Sequence, residues 1–163
     1  MEIERKFLID SFPDLPLIEQ AVCYQGYLSV RPVVRIRKKV DGDITTYKLC
    51  FKGKGTIARQ EVELDITEEV YEQLVELLPG APVRKDYRVY RLPGGERLEC
   101  SLVDPGEPTE FMYAEVEFAT LEEARRFSPP GFLNREVTEQ PGYSMGSYWS
   151  RKYPPACSEQ QTD

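Results

Sequence analysis

Hydrophobic and polar residues alternate with a period of two along much of this chain, which is the pattern of β-strands whose two faces differ. The opening segment places Glu2, Glu4 and Lys6 on one face and apolar side chains on the other. The pattern predicts eight strands, over residues 2–9, 24–30, 33–40, 45–52, 59–66, 86–92, 96–103 and 111–118. Short connections between them favour an α+β fold with an antiparallel sheet or barrel.

Turn and cap residues set the boundaries of these elements. Asp41-Gly42 and Pro93-Gly94-Gly95 stand where tight hairpin turns are expected. Helical spacing and capping residues predict two flanking helices, over residues 67–78 and 120–127, and residues 144–152 are expected to add a short terminal helix. Residues 10–16 contain two prolines and are expected to form a loop.

The chain has 163 residues, of which 40% are hydrophobic, so it is long enough to bury the core of one domain. We expect that domain to span residues 1–152. Residues 153–163 are polar, lack periodicity and are expected to form a disordered tail.

Charge and composition narrow the function. A net charge of −7 disfavours nucleic acid and anionic membranes as partners. The four cysteines lack metal-site spacing, no apolar stretch is long enough to span a bilayer, and the charged N-terminus does not resemble a signal peptide, so we expect a soluble cytoplasmic protein. The chain has no histidine, so any catalysis depends on carboxylates, lysine, arginine, tyrosine or metal ions.

The polar strand faces carry a restricted set of residues. Three strands present Glu-x-Glu pairs, and neighbouring strands present basic residues such as Arg35 and Arg37. Each pair taken alone is typical of a solvated face with cross-strand ion pairs. Like charges destabilise a ladder, however, so repeated acid pairs indicate divalent cations such as Mg²⁺ or Mn²⁺ between them. The basic faces suit a chain of phosphates.

These residues resemble the CYTH superfamily, also called the triphosphate tunnel metalloenzymes. The resemblance covers the chain roughly to residue 152. It rests on Glu2-x-Glu4-x-Lys6, QGYLS at 25–29, VRIR at 34–37, Lys52-Gly53, RQEVEL at 59–64, AEVEF at 114–118 and REVT at 135–138.

The resemblance implies an eight-stranded antiparallel β-barrel tunnel that binds a triphosphate and its metal ions. It implies a metal-facing set consisting of Glu2, Glu4, Glu61, Glu63, Glu115 and Glu117. It implies a phosphate-binding set consisting of Lys6, Arg35, Arg37, Lys52 and Arg59, and Lys48 is added because it shares a strand face with Lys52. Lys85 and Arg88 stand where family members often carry a basic pair spaced as Lys-x-Arg. Glu4, Lys6 and Arg37 are the expected catalytic residues. Glu136 matches a further acidic position without an assigned role.

Two segments depart from the family pattern. Lys85 and Arg88 are three residues apart and cannot share a regular strand face, so either a bulge or a strand beginning at Asp86 is required, and Arg88 is then the more secure tunnel residue. Ser101 stands where family members frequently have an aspartate, which removes one acid, although Glu99 remains.

We therefore expect a metal-dependent triphosphatase acting on a small triphosphate, first inorganic tripolyphosphate and then nucleoside triphosphates. An adenylate cyclase and a non-catalytic polyphosphate-binding module remain alternatives. Hydrolysis releases orthophosphate and cyclisation releases pyrophosphate, whereas a binding module releases neither. The sequence is compatible with a homodimer but contains no motif that requires one.

Overall fold

The computed structural model describes residues 1–155, which fold into ten strands and three helices. The strands are β1 (Glu2–Leu8), β2 (Leu17–Val30), β3 (Val33–Asp41), β4 (Ile44–Lys52), β5 (Ala58–Arg59), β6 (Glu61–Asp65), β7 (Val83–Arg91), β8 (Arg97–Val103), β9 (Phe111–Glu117) and β10 (Arg135–Glu136). The helices are α1 (Glu68–Val75), α2 (Leu121–Arg126) and α3 (Met145–Lys152). The three predicted helices and both hairpins are confirmed. The predicted tail falls mostly on residues 156–163, which lie outside the described residues.

The strands form an antiparallel barrel in the order β10-β1-β9-β8-β7-β2-β3-β4-β6. A single stretch of chain closes it, because β6 pairs with β4 while β5, on the other side of Gln60, pairs with β1. At this corner the Gly53 N–H donates to the Gln60 carbonyl at 2.8 Å. The predicted strand 59–66 is therefore one bent strand shared by both edges, and the barrel prediction is confirmed with this division.

Two predicted strands begin earlier than the sequence indicated. β2 begins at Leu17 instead of residue 24, and a register shift between Leu17 and Glu19 adapts its first residues to β7. β7 begins at Val83 instead of residue 86. It pairs in regular register with β2 over residues 83–89 and with β8 over residues 85–91. Ladder pairing, which the local pattern does not reveal, extends both strands.

The main hydrophobic core lies outside the barrel wall. Outward side chains such as Phe7, Leu98 and Val116 are fully buried, and Phe12 and Leu15 of the predicted loop 10–16 pack against them. Because the inward faces are charged, the apolar faces must be covered from outside by loops and α2. Among residues 1–155, no helix is long and apolar enough to cross a membrane.

Helix α3 closes one end of the barrel. Its Tyr148 and Trp149 form a buried cluster with inward-facing Tyr27 and Val103. The loop after β8 is linked to the helix by Asp104, whose carboxylate accepts hydrogen bonds from the Tyr148 hydroxyl and, at 2.6 Å, from Lys152 Nζ. The tunnel is therefore a blind channel with an apolar floor.

Arg5 connects three distant segments on the outer face. Its guanidinium donates to both carboxylate oxygens of Glu136, at 2.7 and 2.6 Å, and to the carbonyl oxygens of Ala124 and Phe127. The Arg5 hydrogen bond, which outweighs the opposing effect of burial, lowers the pKa of Glu136. Glu136, whose role the sequence left open, therefore holds β10 on the outside of the barrel.

We expect Arg5→Lys to destabilise the protein by about 1–3 kcal/mol, because an ammonium group cannot form the forked contact and also reach two carbonyls. Urea denaturation measures this loss. Arg126→Lys is the control, since Arg126 forms an exposed pair with Glu122 whose loss costs roughly 0.5 kcal/mol or less. Equal effects of the two substitutions would contradict the role of Arg5.

Candidate active site in the tunnel

The charged strand faces point into the barrel and meet across its interior. On β1, Glu4 stands opposite Glu117 and Lys6 opposite Glu115, while on β3 Arg37 stands opposite Lys48 of β4. The charged groups are linked by ion pairs across the barrel interior, for example Lys52 with Glu2 at 2.7 Å. The tunnel therefore contains acids and bases in close contact.

Three carboxylates converge near the open end. Glu2, Glu4 and Glu117 each offer an oxygen, and these oxygens lie within 4.8 Å of one another. A cavity of about 330 Å³ opens beside them, lined in part by Glu61 and Glu63. Oxygens this close suit a hard divalent cation, which binds carboxylates together with water and phosphate. Cys50, Glu61 and Glu63 form a second group with the same spacing.

Glu2 is held in its ionised form by two basic neighbours. Lys52 Nζ donates to one carboxylate oxygen at 2.7 Å and Arg59 Nε to the other at 2.8 Å. Burial opposes ionisation, but these two contacts outweigh it and lower the pKa of Glu2 to about 2. Glu2 is therefore a permanent negative charge at the edge of the carboxylate group.

Glu4 is in the opposite situation. Burial, together with the negative charges of Glu115 and Glu2, raises the pKa of Glu4 to about 8. Arg59 approaches it only to 3.7 Å. A divalent cation between Glu4 and its acidic neighbours would compensate the repulsion that raises this pKa. The donor set thus fits the cation in both spacing and charge.

The facing wall is basic. Arg35, Arg37 and Lys48 converge on Glu63 at 3.8, 3.6 and 3.5 Å. The Nε atoms of both arginines are buried and have no hydrogen-bond partner among the described residues. Buried N–H donors normally have partners, so these two are available to an anion in the tunnel.

Two lysines stand deeper, near the closed end. Lys6 Nζ lies 3.1 Å from Glu115, and Lys85 donates from Nζ to the Tyr113 hydroxyl at 2.9 Å. Lys85 is buried, and this burial lowers its pKa to about 8. Lys85 can therefore lose its proton at a pH close to neutral, at which an exposed lysine stays charged.

The structure brings together all but one of the residues named from the sequence. The exception is Arg88, which lies on the outer face with its guanidinium 4.1 Å from the centre of the Phe12 ring, so its assignment to the tunnel is wrong. The reason is that β7 is regular from Val83, which turns Lys85 inward and Arg88 outward. Neither a bulge in β7 nor a start at Asp86 occurs.

Two tunnel residues, Glu19 and Lys39, were not among the candidates named from the sequence. Lys39, on the inward face of β3, pairs with Glu19, which preceded the predicted start of β2. Glu99 stays on the inward face, where burial, Glu117 and Glu115 raise its pKa to about 7. A correct start for β2 would have identified Glu19, and strict alternation along β3 would have identified Lys39.

Comparisons with known proteins agree with this site. The chain is 36% identical over 142 residues to an inorganic triphosphatase from Nitrosomonas europaea, covering 87% of this chain and 92% of the relative. A crystal structure of an inorganic triphosphatase superposes with a TM-score of 0.65 at 32% identity, over 91% of this chain and 93% of the other. The chain therefore belongs to the inorganic triphosphatase family.

A more distant likeness concerns the fold alone. A Hippeastrum protein described as an adenylyl cyclase with a dominant triphosphatase activity superposes with a TM-score of 0.53 at 16% identity. That match covers 77% of this chain and 83% of the other. No profile of a known protein family matches the chain.

Glu4→Gln should stabilise the cation-free protein at alkaline pH. A carboxyl whose pKa rises on folding binds its proton more tightly in the native state, so native stability falls between the unfolded value near 4.3 and about pH 8. Above pH 8 the native state bears the full free-energy cost of burying the ionised Glu4 carboxylate. The substitution removes this charge, so we expect it to stabilise the protein by roughly 1–3 kcal/mol.

Denaturation of the chelator-treated protein at pH 5 and pH 9 measures this difference. The exposed helix residue Glu72, substituted as Glu72→Gln, is the control and should show no such pH dependence. Adding Mg²⁺ or Mn²⁺ should stabilise wild type more than Glu4→Gln. A variant less stable than wild type at pH 9 without cation would contradict the raised pKa.

Proposed function

We propose that this protein is a divalent-cation-dependent triphosphatase of the CYTH superfamily that hydrolyses inorganic tripolyphosphate. The observation that carries the proposal is the meeting of two opposite surfaces in one channel. Three carboxylates within 4.8 Å of one another stand on one side, and the arginine and lysine groups around Glu63 stand on the other. A chain of phosphates with bound cations complements both at once.

The composition of the channel supports an inorganic substrate. Its described wall presents ammonium, guanidinium and carboxylate groups, and its floor is occupied by Tyr27, Val103 and the side chains of α3. A substrate made only of phosphates uses the charged wall completely. The Nitrosomonas relative is named as an inorganic triphosphatase, which supports the same substrate.

The carboxylates of Glu2, Glu4 and Glu117 would hold Mg²⁺ or Mn²⁺, with Glu61 and Glu63 beside them. When bound, such a cation neutralises phosphate charge and lowers the pKa of a bound water molecule. These carboxylates have hard oxygen donors, so Mg²⁺ and Mn²⁺ are preferred over softer metals. We assign Glu115 to holding Lys6 instead of the cation, because it is not part of the close carboxylate group and lies 3.1 Å from Lys6 Nζ.

The chain's own residues supply the remaining chemistry. Arg35 and Arg37 bind the phosphoryl oxygens and stabilise their charge in the transition state. Water attacks the terminal phosphorus, the bridging P–O bond breaks, and orthophosphate and pyrophosphate form. The neutral amine of Lys85 accepts the proton of the attacking water, while Lys6 or Lys52 stabilises the leaving oxygen.

Two other functions are distinguished by their products. An adenylate cyclase requires a base pocket and releases pyrophosphate and a cyclic nucleotide from ATP, and the adenylyl cyclase likeness here extends only to the fold. A binding module would retain polyphosphate without turnover. Ser101 in place of an acid favours that module, whereas the buried Lys85 with its lowered pKa favours the enzyme.

We also propose a cytoplasmic location. Cys23, Cys50 and Cys100 are buried free thiols within the described residues, which suits a reducing compartment. Cys157 lies outside the described residues.

A phosphate-release panel tests the function. Tripolyphosphate, pyrophosphate, ATP and thiamine triphosphate are each incubated with Mg²⁺, Mn²⁺ or Ca²⁺, and the products are separated by ion chromatography. We expect tripolyphosphate to give equal amounts of orthophosphate and pyrophosphate with Mg²⁺ or Mn²⁺, and none in excess chelator. Cyclic AMP from ATP would favour the cyclase, and tight binding without release would favour the module.

A pair of arginine substitutions tests which face is functional. Arg37→Ala should lower kcat by about 10²-fold or more, because it removes a charged donor from the phosphate path. Arg88→Ala, on the outer face of the same barrel, should leave kcat within about twofold. Steady-state kinetics on tripolyphosphate measures both, and equal losses would place the site elsewhere.

A further inference from the structure

Tyr113 touches two tunnel lysines at once. It lies on β9, and its side chain points inward on the same face as Glu115 and Glu117. Its hydroxyl accepts the hydrogen bond from Lys85 Nζ at 2.9 Å, and its ring centre lies 3.9 Å from Lys6 Nζ. Lys85 comes from β7 and Lys6 from β1, so a single side chain connects strands on both sides of β9.

The ring itself is fixed by its surroundings. Tyr113 is 2% exposed and packs in the cluster that includes Val83, Val103 and Tyr148 at the closed end. The Phe111 ring stacks against it with centroids 5.9 Å apart. Because this floor is tightly packed, the hydroxyl and the face of the ring keep one position relative to the tunnel.

The two lysines need such support. A lysine side chain is a chain of four carbons joined by rotatable bonds, and its charged end has no strong directional preference. It therefore samples many positions unless contacts hold it. Lys6 is held from one side by Glu115 and from the other by the aromatic face, a cation–π contact. Lys85 has a single hydrogen bond among the described residues, the one to Tyr113.

We infer that Tyr113 is a positioning residue that directs the amino groups of Lys6 and Lys85 toward the same phosphoryl group of the substrate. This inference rests on the proposed function, in which both lysines act on tripolyphosphate. The hydroxyl orients Lys85 and the ring orients Lys6, so the two contributions are separable by substitution. Tyr113 was not identified from the sequence, where it reads as one aromatic residue of an amphipathic strand.

The structural alternative is a core tyrosine that acts only by filling space. A buried phenol normally requires a hydrogen-bond partner, so the contact to Lys85 would then serve the phenol and not the lysine. In that case removal of the hydroxyl changes stability without changing the chemistry of Lys85. The two interpretations therefore differ in what happens at the Lys85 nitrogen.

The experiment uses Tyr113→Phe, which keeps the ring and removes the hydroxyl. On tripolyphosphate with Mg²⁺, we expect kcat to fall roughly tenfold while KM changes less than about threefold, because one catalytic group loses its orientation. In a Lys85→Met background the same substitution should change kcat less than about twofold. Tyr90→Phe, at a buried tyrosine of the outer core, is the matched control and should leave kcat unchanged.

A second readout does not depend on turnover. The Lys85 Nζ signal is followed by NMR titration with lysine labelled at Cε and Nζ, and is assigned by its loss in Lys85→Arg. The groups facing Lys85 are Cys23 on β2, Arg35 and Arg37 on β3, and Glu115 and Tyr113 on β9. The phenol oxygen stabilises the charged amine, so Tyr113→Phe should lower the pKa of Lys85 by roughly one unit.

The outcomes separate the two proposals. An unchanged Lys85 titration in Tyr113→Phe, or kcat losses that add fully with Lys85→Met, would overturn the role of Tyr113. Absence of phosphate release by wild type would refute the proposed function, and a retained shift in the titration would then still support the contact between Tyr113 and Lys85. Equal kcat losses in Tyr113→Phe and Tyr90→Phe would indicate a general effect on packing.

Discussion

Charge balance inside the barrel is the constraint on which the rest of the structure depends. Inward strand faces bring acids such as Glu2 and Glu115 and bases such as Lys52 and Arg35 out of bulk water. Isolated buried charges are strongly unfavourable, and each is tolerated only when a partner of opposite sign is close. The pairs therefore make a charged channel compatible with a folded protein, and they also keep it ready for exchange with anions and cations of a ligand.

The same constraint explains where the apolar residues go. Alternation assigns one face of each strand to the channel, so Phe7, Leu98 and Val116 must face outward and be covered by α2 and by loops. Structural side chains such as Arg5 hold that cover in place from outside the channel. The charged side chains of the channel and the apolar side chains of the outer core thus lie on opposite faces of the same strands.

Much of this arrangement could be predicted from the sequence, and the failures have identifiable causes. The Glu-x-Glu pairs and the VRIR segment identify the charged faces, because period two and residue type suffice to group them. Strand ends depend on pairing partners far along the chain, so the predicted β2 and β7 began too late. For the same reason Arg88 was assigned to the inward face, whereas it lies on the outer face. The contacts of Tyr113 with two lysines depend on three strands meeting, which no local pattern encodes.

The closed end formed by α3 also affects how ligands enter the channel and how products leave it. With Trp149 and Tyr148 across one opening, ligands enter and leave through a single mouth. Both products of cleavage must pass the same carboxylates that the substrate passed on entry. A product that stays bound there prevents the next substrate molecule from binding. Release of the two products through one opening is therefore a step that can limit turnover as well as bond cleavage.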